Sequence, residues 1–140
     1  MSQTLQTARL IRDAQLATTI AMPNANATTY SGALDLGAPQ AAFVNENFSL
    51  FVSVPNTNIV SAKTTTLVLE SADVNLNANF STVQGGGQIS ILGIAGNVSA
   101  AINQEIRVPG NAKQFIRLSS TGGANTGTAL TESITVRLQF

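Results

Sequence analysis

A chain of 140 residues is long enough to bury one core of ordinary size and too short for two. Only 10% of its residues are charged, and seven Lys plus Arg, scattered from Arg9 to Arg137, balance seven Asp plus Glu; this leaves no basic patch to neutralise phosphates and no basic amphipathic stretch for a membrane surface. The absence of Cys and His removes disulfides, thiolate and imidazole metal sites and the Ser/His and Cys/His nucleophile pairs.

Neutral hydrogen-bonding residues take the place of charge, with Thr, Asn, Ser and Gln supplying 50 of the 140 residues. Such an exterior is easy to desolvate, and little long-range repulsion opposes self-association or docking. The first 22 residues hold no continuous apolar run, being interrupted by Arg9, Arg12 and Asp13, so no secretory signal is expected. No run approaches the roughly 18 apolar residues of a membrane span. The expectation is a soluble product made in the cytoplasm.

In chain order, residues 1–28 stand apart. Leu5, Leu10, Ile11, Leu16 and Ile20 follow neither a helical nor a strand period cleanly, and Asn24 to Ala27 read as loop. Two accounts remain open: a short helix or first strand packed on the domain, or an extended arm ordered against a neighbour. From Tyr30 the dominant period is two, the pattern of half-buried strands. Residues 29–140 are therefore expected to form one β-sandwich domain, beginning with a strand over Tyr30 to Gly37.

Phe48, Leu50, Val52 and Val54 alternate with Ser49, Phe51 and Ser53 before Pro55-Asn56-Thr57-Asn58 supplies a stop. Thr65, Leu67 and Leu69 alternate with Thr66, Val68 and Glu70. Asp73-Val74-Asn75-Leu76-Asn77 imitates the start of a calcium loop, but Ala78 stands where Gly is needed and Gln84 where a bidentate Glu is needed. A strand with Asp73, Asn75, Asn77 and Asn79 on its polar side is the preferred reading. A weaker strand is expected over Asn79 to Val83, then a hairpin loop at Gly85-Gly86-Gly87, which lacks the Lys-Ser or Lys-Thr of a phosphate cradle. Ile89, Ile91 and the run from Leu92 to Ala95 read as a strand, and Asn97 to Asn103 as a helical turn. Ile106 and Val108 lead into the turn Pro109-Gly110-Asn111, followed by Phe115 to Leu118. The last strand places Ile134, Val136, Leu138 and Phe140 on one side, with Thr135, Arg137 and Gln139 on the other. The sum is an all-β, jelly-roll-like sandwich of about eight short antiparallel strands with an N-terminal arm.

Candidate chemistry is sparse. Lys63 and Lys113 lie near hydroxyl residues, but solvated lysines at strand ends account for them. The seven carboxylates are spread out, with no pair spaced for acid/base work. Four sequons, at Asn26, Asn47, Asn79 and Asn97, follow from the abundance of Asn and Thr. One Tyr and no Trp offer little to a sugar ring. No enzyme activity and no cofactor are expected.

Two stretches carry a resemblance. Asp13-Ala14-Gln15-Leu16, a Thr/Ala/Asn-rich segment and Leu34-Asp35-Leu36-Gly37 form the first. The second is Val108-Pro109-Gly110, then Phe115-Ile116-Arg117-Leu118, a Gly-rich loop from Thr121 to Thr128, and a final apolar strand through Leu138. Together they resemble the capsid cement, or decoration, proteins of tailed bacteriophages, including the Bordetella phage type, over most of the chain from about residue 13. The resemblance implies an oligomeric jelly roll, a dimer or trimer, on the outer surface of the capsid, bridging major capsid protein subunits in the virion. Separately, the irregular apolar pattern of the N-terminal segment makes Leu5, Leu10, Ile11, Arg12 and Leu16 the expected partner contacts; residues 1–12 extend beyond the start of the resemblance. Two other readings compete: a phage tail or fibre module, and a sandwich that binds carbohydrate or calcium.

Overall fold

The computed structural model describes residues 12–23, 27–42, 48–122 and 133–139. Ten strands appear: β1 (Arg12–Ala21), β2 (Thr28–Tyr30), β3 (Leu34–Asp35), β4 (Ser49–Val54), β5 (Thr64–Ala72), β6 (Ser81–Thr82), β7 (Gln88–Leu92), β8 (Ile102–Arg107), β9 (Phe115–Thr121) and β10 (Ser133–Gln139). Two 3-10 turns, Gln40–Ala42 and Asn77–Asn79, are the helical elements among the described residues. No helix there is long and apolar enough to cross a membrane.

The strands occupy eight lanes. One sheet has the order β1-β10-β4-β8. In the other, β9 and β5 are central, β2 and β3 share the outer edge of β9, and β6 and β7 share the outer edge of β5. Numbered along the chain, the lanes run 1-8-3-6 in one sheet and 2-7-4-5 in the other, all antiparallel, which is the jelly-roll arrangement.

The expected alternation explains the core. Leu50, Val52 and Val54 on β4, Ile134, Val136 and Leu138 on β10, and Ile20 on β1 face Leu67 and Leu69 on β5, Ile116 and Leu118 on β9, and Ile89 and Ile91 on β7. Each fully buried side chain of this size contributes about 1.5–3 kcal/mol over its exposed state. At one end the inner face turns polar: the hydroxyls of Thr65 and Ser120 are buried without a hydrogen-bond partner among the described residues. Burying an unpaired hydroxyl costs about 1–3 kcal/mol. Thr65→Val, which keeps the shape, is expected to raise the urea midpoint at unchanged m by about 1 kcal/mol of stability; a lowered midpoint would show that the hydroxyl is satisfied by internal water.

Four local expectations need correction. Tyr30 to Gly37 is not one strand but two, β2 and β3, since Ser31 and Gly32 break away: Ser31 Oγ accepts the Leu118 N–H at 3.0 Å and Gly32 N–H donates to Thr18 Oγ1 at 2.9 Å. Asp73 to Asn79 is not a strand but bends and a 3-10 turn, because no layer covers its apolar side: Val74 and Leu76 are exposed. Gly85 to Gly87 does not close a hairpin; it is an excursion between β6 and β7, with Gly85 and Gly87 at positive φ. Finally, β7 ends at Leu92, and the region from Gly93 to Ser99 is a turn closed by an Ile94–Val98 bridge, with Asn97 at φ 56°, so Asn97 to Asn103 forms no helical turn.

Candidate functional site

The outer face of the four-stranded sheet carries a cleft. Antiparallel pairing sets Arg137 of β10 opposite Phe51 of β4, and Phe51 opposite Glu105 of β8. The neighbouring row is Thr135, Ser53 and Asn103. Small side chains in this second row lie lower than the Phe51 ring and the Arg137 stem. The result is a shallow depression of about 270 Å3 lined by Phe51, Ser53, Asn103, Thr135 and Arg137. Ser53 Oγ donates to Asn103 Oδ1 at 2.8 Å, which fixes the amide and turns its Nδ2 into the available donor.

The opposite outer face is built differently. The Arg117 guanidinium lies between the rings of Tyr30 and Phe80, 4.0 and 4.1 Å from their centroids. Its Nε donates to Glu70 at 2.7 Å and its Nη1 to Asn77 Oδ1. Here the loop after β5 folds back over β9, so Arg117 and Ser119 are buried although they point away from the core. The one Tyr is thereby engaged in stacking on a cation.

Two apolar projections stand out among the described residues. Leu92, Ile94 and Val98 are 53%, 49% and 39% exposed at one end of the six-stranded sheet, and Val74 and Leu76 are 51% and 59% exposed beyond the other end of β5. The first lies beside the start of β5, where Leu92 pairs with Thr64, and the second follows its end at Ala72; the nine residues of β5 span about 27 Å at the usual strand rise. The first projection is rigidly braced. Ala62 N–H donates to Gly93 O and Gly93 N–H to Lys63 O, both at 2.9 Å, while Asn97 Oδ1 accepts the Ser61 N–H at 3.0 Å.

Of the partner contacts expected from sequence, Leu5, Leu10 and Ile11 lie outside the described residues. Arg12 opens β1 opposite Gln139, and Leu16 packs, half-buried, against the core. Leu16 is not among the residues that line the cleft. In the calcium-like segment, Asp73 pairs with Lys113 at 2.9 Å and Asn77 serves Arg117, and no group of three or more acidic residues assembles among the described residues. Lys63 is exposed in the turn before β5. Asp35 of the Leu34-Asp35-Leu36-Gly37 motif accepts from Gln114 Nε2 at 2.9 Å and from Gly37 N–H at 2.8 Å. Chiefly the Gln114 bond, then the Gly37 bond, hold its carboxyl below the ordinary carboxylate range. The motif is thus a hydrogen-bonded turn. The cleft residues were not singled out from sequence as a site; the available signal was Phe51, an aromatic on the solvent side of an alternating strand.

No family model matches the chain, and no curated protein does. Among solved structures, the K1 cleaved adhesin domain of Lys-gingipain from Porphyromonas gingivalis W83 is similar at 13% identity and TM-score 0.39, over 80% of this chain and 59% of that one. The N-terminal CBM22-1–GH10 modules of endo-1,4-β-D-xylanase 10B from Clostridium thermocellum, solved with xylohexaose, are similar at 13% identity and TM-score 0.36, over 93% of this chain and 26% of that one. The chain spans less than two thirds of either.

Proposed function

We propose that this chain is a structural capsid cement protein that attaches to the outer surface of a phage head and bridges major capsid subunits, acting by binding rather than catalysis. The observation that carries the reading is the distribution of adhesive features: an open cleft on one sheet face and two separate apolar projections, one beside the start of β5 and one after its end, at the other sheet. A bridge needs several separated contact surfaces on one stiff body, whereas a module for one ligand needs one. Each contact is small, and strength then comes from avidity over many copies. The sequence resemblance and the neutral, hydrogen-bonding exterior support the same reading, as does the lack of His and Cys.

Purified chain mixed with undecorated heads is expected to bind saturably and in fixed stoichiometry. Leu92→Asp with Ile94→Asp is expected to weaken attachment about thirtyfold, the scale of a lost hot spot of about 2 kcal/mol. Folding stability is expected to change by no more than about 0.5 kcal/mol per site at these exposed positions. Wild-type protein that never saturates heads, at any salt concentration, would refute the proposal. A ligand-binding sandwich is the second reading, favoured by the cleft; calorimetry with calcium and a glycan panel tests it.

A further inference from the structure

The cleft on the four-stranded sheet has an unbalanced hydrogen-bonding inventory. Among the described residues, no carboxylate lies within ion-pair distance of the Arg137 guanidinium; Asp73 is paired with Lys113 and Glu70 with Arg117. The Asn103 amide has its oxygen occupied by Ser53, which leaves Nδ2 to donate. The Thr135 hydroxyl adds a third donor on the same rim. These groups converge from β8 and β10 across the Ser53 floor, and Phe51 forms an apolar wall beside them.

A donor-rich depression with one fixed positive charge is complementary to an ionised carboxylate, whose two oxygens accept about four hydrogen bonds and pair well with a guanidinium fork. A neutral sugar presents donors and acceptors together and leaves the cation unpaired, and among the described residues that line the cleft Phe51 has no second ring beside it to complete a stacking platform. A phosphodiester backbone is recognised by several cations along a track, and this face offers one in the cleft. Phe51 suits the methylene stem that carries the acid. We infer that the cleft takes the side-chain carboxylate of an Asp or Glu presented by a partner polypeptide. The identity of that partner rests on the docking role proposed above, whereas the carboxylate chemistry stands on the cleft itself.

The full chain, 15N-labelled, is titrated with acetyl-tetraglutamate amide and, separately, with acetyl-tetraglutamine amide, inorganic phosphate and xylohexaose. Tetraglutamate alone is expected to give saturable shifts at the Asn103 side-chain amide and the Ser53 and Thr135 backbone amides, weakened by salt. Arg137→Gln is expected to lower the affinity about tenfold, the scale of a lost hydrogen bond to a charged group, and Lys63→Gln to leave it unchanged. Asn103→Asp, which puts a carboxylate on the rim, is expected to abolish binding and serves as the second variant if Arg137→Gln does not fold. An equal response to tetraglutamine, phosphate or xylohexaose overturns the assignment, as does undiminished binding by folded Arg137→Gln. Tetraglutamate binding without attachment of the wild type to heads removes the docking role and keeps the site. Attachment to heads without a tetraglutamate response does the reverse.

Discussion

Arg117→Ala is expected to destabilise the fold by about 3 kcal/mol, the lower end of the range for breaking a buried ion pair. The substitution strips Glu70 of its partner while the Glu70 side chain remains only 15% exposed. It also removes the donor held by Asn77 and the cation between the Tyr30 and Phe80 rings. The loop from Asp73 to Phe80 is fastened to the sheet largely through these contacts, so its protection against amide exchange is expected to fall with the global stability. Arg117→Lys keeps the charge but loses the planar fork and the stacking, and is expected to recover only part of the loss. Arg117→Met combined with Glu70→Gln leaves no uncompensated charge and is expected to be less damaging than Arg117→Ala alone. Urea denaturation of the four proteins tests the ordering; an Arg117→Ala variant within 0.5 kcal/mol of wild type, on the scale of an ordinary surface change, would show that the cluster is not a clasp.

Gly93→Ala is expected to cost about 3 kcal/mol or more, through contact rather than backbone conformation. A Cβ at this position would stand 2.2 Å from Val60 O and 2.6 Å from Ile59 O. Both neighbours are backbone and cannot swing aside as a side chain would. Moving residue 93 away breaks its two hydrogen bonds to the turn at residues 62 and 63. Gly96 is the control: it has φ +92° and open space around a Cβ, so Gly96→Ala meets only conformational strain of about 1–2 kcal/mol. Because Gly93 lies between Leu92 and Ile94, its substitution is also expected to displace the apolar projection and weaken attachment to heads beyond what lost stability explains. Equal effects of the two substitutions on the denaturation midpoint would contradict the steric account.

Where one strand face meets the core and the other meets solvent, the fold was legible from alternation alone. β4, β5 and β10 read clearly because Leu50, Leu67 and Val136 sit on buried sides. β1 was obscure because Thr18 occupies an inward parity between Leu16 and Ile20, where its hydroxyl serves Gly32. The Asp73 to Asn79 segment misled for the opposite reason: it alternates, but Val74 and Leu76 have no layer to pack on. About eight strands were expected and eight lanes are found, two of them broken by Ser31-Gly32 and by Gly85-Gly86-Gly87. The cleft was illegible because it depends on register. Arg137 and Phe51 are far apart in the chain and meet only through the β10–β4 pairing, which no local pattern encodes.

Image reconstruction of heads saturated with the purified chain is the decisive measurement for the cement role. Density for the eight-lane sandwich is expected on the outer shell surface, with Leu92, Ile94 and Val98 and the Arg137 cleft turned toward different capsid subunits. Bare heads at saturating protein, or density confined to tails, would contradict it.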